Sequence, residues 1–287
     1  MMATRQEARP HQYTIGWVSA LPIELAAAQE MLDDKHEVPP QNASDTNIYT
    51  LGQIAKHNVV IACLPKSQIG IKSAAVVATQ MKSTFPTIVF ILMVGIGGGV
   101  PQANLDIRLG DVVVSRPNGL RGGVIQYDFG KATNTGFQRT GFFNNPPKIL
   151  LNAISRLEAS HERQQIGFMN YVSKLNKVDQ FIRQAAGPDL LFKADYDHIG
   201  EDTCVQCDKE MLVKWRPRDK KIMVHYGTIA SGNQAIRNAL ERDRVSSELG
   251  GVLFFDMETA GLMNDFPCLV IRGISDYADS HKNKGWH

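Results

Sequence analysis

Continuous apolar runs alternate along this chain with segments whose apolar residues recur at helical spacing. The run at 87–94 is too apolar for a half-exposed strand and predicts a central, buried strand. Residues 70–85 carry apolar side chains on one side of a helix. The other predicted strands are 13–20, 47–53, 58–64, 109–115, 123–129, 221–229, 251–255 and 268–271. The other predicted helices are 22–32, 147–158, 171–185 and 233–249.

Two segments have no sustained periodicity of apolar residues. Residues 130–147 are rich in Gly, Asn, Thr and Pro and predict a long loop, and residues 189–218 predict an excursion on the surface. The alternation of buried strands with helices predicts an α/β fold with three α/β/α layers and a central mixed, largely parallel sheet.

The domain organisation follows from the same pattern. We expect residues 1–12 to form a flexible arm and residues 13–287 to form a single domain. The chain stops eight residues beyond Asp279, although a parallel strand normally needs a covering helix after it. We therefore expect a domain truncated before its last helix, within a longer protein.

Composition narrows the class of ligand. Hydrophobic residues make up 43% of the chain and charged residues 21%, so a sizeable core can form. The net charge of +2 is scattered, which gives little support for a nucleic-acid or membrane-surface partner. No apolar stretch reaches the roughly 18 residues that span a bilayer. We expect a cytoplasmic protein with a small-molecule ligand.

Four cysteines in 287 residues do not form a disulfide framework. Cys204 and Cys207 have the spacing of half a zinc site, and His198 and His225 are the nearest further ligands in sequence. A second closely spaced pair is missing. We expect a reduced pair of thiols and no metal, and the sequence leaves the question open.

Two acidic motifs follow successive apolar strands. Glu258 comes after 251–255, and Asp276 comes after 268–271. In open α/β sheets, ligands bind where the carboxyl ends of the strands open into loops. Burial also favours the neutral form of a carboxyl group, which is the form that can donate a proton.

The motifs at 255–263 (Phe-Asp-Met-Glu-Thr-Ala-Gly-Leu-Met) and 271–284 (Ile-Arg-Gly-Ile-Ser-Asp-Tyr-Ala-Asp-Ser-His-Lys-Asn-Lys) resemble the nucleoside phosphorylase and nucleosidase superfamily. The resemblance covers residues 13–280. Within the superfamily it points to fungal multidomain proteins, in which such a domain precedes a nucleotide-binding regulatory module with ankyrin or tetratricopeptide repeats.

The resemblance implies roles for the acidic motifs. Met257 and Glu258 would hold the ribose hydroxyls, with Asp256 beside them. Ser275 and Asp276 would end a strand, with Asp276 protonating the purine leaving group. From residue type alone, Met257 is a core residue and Glu258 a carboxylate at a helix start.

The same resemblance implies the nucleophile. Glu24, in the first turn of a predicted helix, would order an attacking water, although such a residue commonly only complements the helix dipole. Gly97 and Gly98 would lie beside the ribose, although tight packing explains many such glycines. Phosphate-using relatives place an Arg near the Glu24 loop and a Ser or Thr at the position of Ile96, and both are missing here.

The base pocket is assigned from the segment after Ser231. Asn233 and Ile236 would line it, with Asn233 replacing an acid of the family. Ser231 or Asn233 is otherwise simply a helix N-cap. Arg272 either steers one of the acids or pairs with a partner, and Asp279 is a solvated or structural neighbour.

These inferences predict a purine nucleoside hydrolase that acts on adenosine, guanosine or inosine without a cofactor. Three alternatives stay open: a phosphorylase, a catalytically silent nucleoside sensor, and cleavage of 5′-methylthioadenosine or S-adenosylhomocysteine. The last needs a 5′ pocket, for which Tyr127, Phe129 and Phe142 are candidate walls. We expect a homodimer or a domain of a larger regulatory protein.

Overall fold

The strands and helices of the computed structural model largely follow the apolar runs of the sequence. The structure describes residues 9–119, 121–163, 168–175, 177–200, 203–220, 222–281 and 284–286. The strands are β1 (Ile15–Ser19), β2 (Asp34–His36), β3 (Tyr49–Ile54), β4 (His57–Cys63), β5 (Phe90–Gly99), β6 (Val112–Ser115), β7 (Val124–Gln126), β8 (Gly130–Thr133), β9 (Gly136–Arg139), β10 (Val224–Gly227), β11 (Ile229–Ser231), β12 (Phe254–Asp256) and β13 (Cys268–Asp276). The α-helices are α1 (Pro22–Glu30), α2 (Ile71–Thr84), α3 (Lys148–Glu162), α4 (Phe168–Leu175) and α5 (Ala239–Glu248).

The described chain divides into two compact units. The first unit comprises residues 1–95, 146–182 and 261–270, and the second comprises residues 96–145, 183–260 and 271–287. The assignment of 13–287 to a single domain stays a prediction. The predicted flexible arm lies mostly outside the described residues, although Pro10–Gln12 form one turn of 3-10 helix.

In the first unit, β1 lies between two parallel neighbours. It pairs with β4 on one side and with the first residues of β5 on the other. β3 pairs antiparallel with both β4 and β2, so the predicted strands 47–53 and 58–64 form a hairpin. β1 is thus a central strand, as its continuously apolar sequence requires.

The core of the first unit forms where α1 meets this sheet. Ala28 of α1 packs with Val59 and Ile61 of β4, and all three side chains are buried. Pro22 begins the helix, where its fixed φ suits the first turn and its missing N–H costs no hydrogen bond.

In the second unit, two sets of strands surround the glycine end of β5. β6 pairs parallel with β10 and antiparallel with β13. β11 pairs parallel with both β7 and β12, and β12 runs antiparallel to β5 at Gly98 and Gly99. Val100, Tyr127, Val245 and other apolar residues form a buried cluster in this unit.

The predicted end of the central strand at Val94 was wrong, because β5 continues through the glycines to Gly99. A Cβ on Gly97 would lie 3.0 Å from the Phe254 ring, and one on Gly98 would lie 2.7 Å from the Cβ of Ala278. This end of the strand therefore requires glycine, because neighbouring residues approach too closely for side chains.

The predicted loop at 130–147 was also wrong in part, since β8 and β9 form a hairpin there. Most of its residues are exposed, so no apolar alternation marked it. Thr133 donates from Oγ1 to the carbonyl of Gly136 over 2.7 Å and closes the turn.

Two helix boundaries differ from the prediction. α4 ends at Leu175, and the described residues after it have extended backbone at Val178 and 3-10 turns at Asp179–Phe181 and Arg183–Ala186. α5 begins at Ala239 and not at 233, because the Asn238 side chain accepts a hydrogen bond from the Glu241 N–H over 2.9 Å. None of the helices in the described part of the chain is both long enough and apolar enough to cross a membrane.

Candidate active site

Arg272 links the two acidic motifs of the second unit. It lies in β13 and is fully buried. Its Nε and Nη2 lie 3.0 and 2.8 Å from Oδ2 of Asp256, and its Nη2 lies 3.4 Å from Oε2 of Glu258. Of the two roles left open for Arg272, the structure therefore favours the one directed at the acids.

Asp256 and Glu258 differ in how they are held. Asp256 ends β12 and also accepts hydrogen bonds from the N–H and the hydroxyl of Thr259. These contacts fit a carboxylate that fixes Arg272. Glu258 is buried, and Met257 between the two acids is partly exposed rather than a core residue.

Ser275 joins the second acidic motif to the glycine end of β5. Its Oγ donates to the carbonyl of Gly97 over 3.3 Å. On the other side of the glycines, Phe255 of β12 lies opposite Gly98. The glycine segment is thus flanked by both motifs, as expected for strand ends that meet at one edge.

Asp276 is the last residue of β13 and lines a cavity of about 340 Å³. The residues that line this cavity are Leu109, Pro188, Leu190, Thr203, Cys204, Val205, Lys209, Ser275, Asp276, Tyr277 and His281. The Ala278 N–H donates to Oδ1 of Asp276 over 2.8 Å. Ala278 has φ of 50°, a left-handed conformation that is uncommon outside glycine and that recurs at functional sites.

Asp279 is buried, so of its two expected roles, a solvated or a structural neighbour, the structure supports the structural one. Its Oδ1 accepts the His281 N–H over 2.9 Å, and its Oδ2 lies 4.0 Å from Nη1 of Arg242. Burial raises the pKa of Asp279, and the nearby Asp276 carboxylate acts in the same direction.

The segment assigned to the base pocket lies at the end of β11. The Oγ of Ser231 accepts the Ala260 N–H over 3.0 Å, and Asn233 donates from N and Nδ2 to Oδ2 of Asp128 over 2.6 and 3.2 Å. Neither residue caps α5. Ile236 packs against the buried cluster that contains Tyr127.

Asp128 was missed by the sequence reasoning. It follows β7, and a carboxylate after a strand of this sheet was a usable signal, although the strand is only three residues long.

Of the three candidate walls of a 5′ pocket, Tyr127 belongs to the buried cluster, whereas Phe129 and Phe142 are both exposed. Their role in ligand binding stays a prediction.

Glu24 lies in the first unit, in the first turn of α1, as predicted. Its Oε2 accepts the N–H groups of Ala20 and Leu21 over 2.6 and 2.9 Å, which caps the helix. The carboxylate is buried at 8% exposure. Burial, followed by the charge of Glu24, raises the pKa of the Cys63 thiol to about 11.

His225 belongs to a separate polar network. Its Nε2 lies 3.0 Å from Oδ2 of Asp111, which is fully buried. Arg218 lies 2.7 and 2.9 Å from the two oxygens of the same carboxylate. His225 is thus engaged with Asp111, whereas His198 lies beside Cys204 and Cys207.

Residues 14–287 match the family model described as Phosphorylase superfamily, so the chain belongs to that family. A nucleotide-binding leucine-rich repeat (NLR)-like protein of Hyaloscypha variabilis is 44% identical over 286 residues, which are 98% of this chain and 28% of that protein. The ATP nucleosidase Cap17 of Escherichia coli is 24% identical over 96% of this chain and 48% of its own length. The chain thus spans less than half of each of these two relatives.

The fold is shared with solved structures. A 5′-methylthioadenosine/S-adenosylhomocysteine nucleosidase from S. pneumoniae, solved with a transition-state inhibitor, has a TM-score of 0.56 and 19% identity over 95% of this chain and 90% of its own. The predicted fold class, α/β with a mixed, largely parallel sheet like that of nucleoside phosphorylases, is confirmed.

Proposed function

We propose that this chain is an N-glycosidase that hydrolyses a purine ribonucleoside to the free base and ribose. The observation that carries the proposal is the buried Asp276 at the end of β13, which lines a cavity and adjoins the Ser275 to Gly97 contact. Relatives that include an ATP nucleosidase and a 5′-methylthioadenosine/S-adenosylhomocysteine nucleosidase support the same reaction type.

The reaction needs an acid on the leaving base and a nucleophile at the sugar carbon. Asp276 donates its proton to a purine nitrogen while the N-glycosidic bond breaks, and the bonding electrons pass to the base. The transition state resembles an oxocarbenium ion. Such acid catalysis contributes about 10² to 10⁴ in rate, or roughly 3 to 5.5 kcal/mol.

Glu24 is assigned to the attacking water through its resemblance to the nucleosidase motif. The water oxygen bonds to the sugar carbon, and its proton passes to the solvent or to the carboxylate. The departures at Ile96 and in the Glu24 loop, which lacks Arg, favour water over phosphate. Hydrolysis needs no cofactor.

Glu258 is assigned to the ribose. A carboxylate accepts hydrogen bonds from both vicinal hydroxyls, which a 2′-deoxyriboside cannot supply. Asp256 and Arg272 hold this carboxylate in place through the contacts of 2.8 to 3.4 Å described above. Met257, Gly97, Gly98 and Ser275 complete the sugar side, and Asn233 and Ile236 complete the base side.

A purine nucleoside 5′-phosphate is the second candidate substrate. The observation that favours it is the relationship to the ATP nucleosidase of Escherichia coli. The NLR-like relative, of which this chain spans 28%, instead fits a domain that senses nucleosides within a larger regulatory protein. A homodimer is the other assembly that we propose.

The test is chromatography of the free base released from adenosine, guanosine, inosine, 5′-methylthioadenosine and ATP, with and without phosphate. We expect release that does not depend on phosphate, together with free ribose from the unsubstituted nucleosides. Strict phosphate dependence with ribose 1-phosphate as product would identify a phosphorylase. Binding without any release would identify a sensor.

A further inference from the structure

One histidine and two cysteines lie close together in the segment 189–218 of the second unit. Nδ1 of His198 lies 3.6 Å from Sγ of Cys204 and 3.4 Å from Sγ of Cys207. The three donor atoms all lie within 4.8 Å of one another. From the sequence, His198 and His225 were the candidate further ligands for the Cys-x-x-Cys pair, and the fold brings His198 to it.

These separations match a tetrahedral zinc site. With Zn–S bonds of about 2.3 Å and Zn–N bonds of about 2.0 to 2.1 Å, tetrahedral angles place nitrogen and sulfur ligands about 3.6 Å apart. The two observed nitrogen-to-sulfur distances, 3.6 and 3.4 Å, are close to this value. A metal could thus bind with little movement of the side chains.

The geometry points to a Zn²⁺ site in which His198 Nδ1, Cys204 Sγ and Cys207 Sγ supply three of the four ligands. Two sulfur donors and an imidazole suit zinc, whereas magnesium and calcium require oxygen ligands. The fourth position is left to a ligand from outside this trio, such as water. None of the three ligands is a carboxylate proposed to act on a nucleoside.

Local structure holds the ligands in this arrangement. Cys204 begins a single 3-10 turn, and the Cys207 N–H donates back to the Cys204 carbonyl over 3.3 Å. The backbone N–H of His198 donates to Oγ of Ser280 over 3.0 Å. This hydrogen bond links the backbone at His198 to the segment after β13. Such preorganisation lowers the entropic cost of binding an ion.

The His281 ring lies next to His198, one of the three proposed ligands. The His281 ring is 5.6 Å from the His198 ring and stacks on Phe192 at 4.1 Å. His281 is 8% exposed, and its Nε2 has no hydrogen-bond partner among the described residues. Buried polar atoms are normally paired. The polar chemistry of this neighbourhood is therefore incomplete without a further group.

The zinc site would stabilise one wall of the Asp276 cavity. Cys204 lines that cavity together with its neighbours Thr203 and Val205, and His281 lines it as well. An ion that links His198 to Cys204 and Cys207 closes a short loop and restricts this wall. Binding of an ion to the folded state alone also raises the stability of the protein.

The first test is the metal content of the 287-residue chain, purified under reducing conditions and measured by inductively coupled plasma mass spectrometry. We expect about one zinc per chain, and its loss from the double variant Cys204→Ser/Cys207→Ser. Cys63→Ser is the matched control, because Cys63 lies in β4 and should leave the zinc content unchanged. Zinc retained in the double variant would overturn the proposal.

A second measurement does not depend on the folding of a variant. The wild-type chain is stripped with a chelator and titrated with Co²⁺, which should produce thiolate-to-cobalt charge-transfer bands and tetrahedral visible bands at about one equivalent. Wild-type protein that contains no zinc and develops no such bands overturns the proposal. An intact mass lower by two hydrogens would identify a Cys204 to Cys207 disulfide and would also overturn it.

Discussion

The buried guanidinium of Arg272 lies 2.8 Å from the carboxylate of Asp256, and the same Nη2 atom lies 3.4 Å from Glu258. One cation therefore sits between two carboxylates at the end of β12. Burial of ionic groups is unfavourable unless each charge has a partner. The arrangement places a positive charge beside both buried carboxyl groups.

Arg272→Met should destabilise the protein by about 3 to 5 kcal/mol, because it leaves two buried carboxylates without their cation. The free energy of unfolding in urea measures this. Arg244→Met is the control, since Arg244 pairs with Glu241 and Glu248 on the exposed face of α5 and should cost about 1 kcal/mol or less. Equal costs for the two variants would contradict this account of Arg272.

Glu258→Gln should weaken the discrimination between ribosides and 2′-deoxyribosides. The amide keeps the size of the side chain but loses charge-assisted hydrogen bonds to the sugar, worth roughly 1.5 to 3 kcal/mol. We expect kcat/KM for adenosine to fall about 10- to 100-fold, with a much smaller fall for 2′-deoxyadenosine. An equal fall for both substrates would argue against a contact with the 2′-hydroxyl.

Glu24→Gln separates a catalytic role from a capping role. The Glu24 carboxylate caps α1, so its loss should cost about 1 kcal/mol of stability. If Glu24 orders the water, kcat should also fall by about 10² or more. Glu30→Gln, at the exposed end of the same helix, is the control. A variant that loses stability but keeps the wild-type kcat would leave Glu24 only its capping role.

Asp111 should make the protein sensitive to acid. Burial opposes ionisation, but hydrogen bonds from His225, Arg218 and two backbone N–H groups outweigh it and lower the pKa of Asp111. A lowered pKa in the folded state stabilises the protein above about pH 4, the ordinary value for aspartate. That stability is lost as the pH falls through the lowered value.

Asp111→Asn should therefore be less stable than the wild type at pH 7, by about 3 kcal/mol, and should lose less stability on acidification below about pH 4. Urea unfolding at a series of pH values measures both effects. Asp106→Asn, a partly exposed partner of Arg108, is the control. Parallel pH profiles for the wild type and Asp111→Asn would contradict the role of Asp111.

The predictable part of this structure follows from burial. Continuously apolar strands such as β1 and β4, and the acids at the ends of β12 and β13, were visible because a buried strand has a distinctive sequence. The exposed hairpin of β8 and β9 has no such pattern. The glycine segment 95–99 at the end of the central strand is visible in the sequence, but only the tertiary neighbours of Gly97 and Gly98 reveal why side chains are absent there.

Side-chain partners in the site depended on contacts that are distant in sequence. The pairing of Arg272 with Asp256 joins two strands, and the contact between Asn233 and Asp128 joins residues 105 positions apart. No local periodicity of apolar residues encodes such contacts. The roles of Glu24, Glu258 and Asp276 came from the resemblance of whole motifs to a family, and they stay proposals.

The most direct test of the central claim compares adenine release from adenosine by the wild-type chain and by Asp276→Asn in phosphate-free buffer. The asparagine keeps the shape of the side chain but cannot act as the acid, so turnover should fall by about 10² to 10⁴. Asp265→Asn, an exposed aspartate elsewhere in the chain, should match the wild type. Equal release by the wild type and Asp276→Asn, or no release by the wild type, would contradict the account.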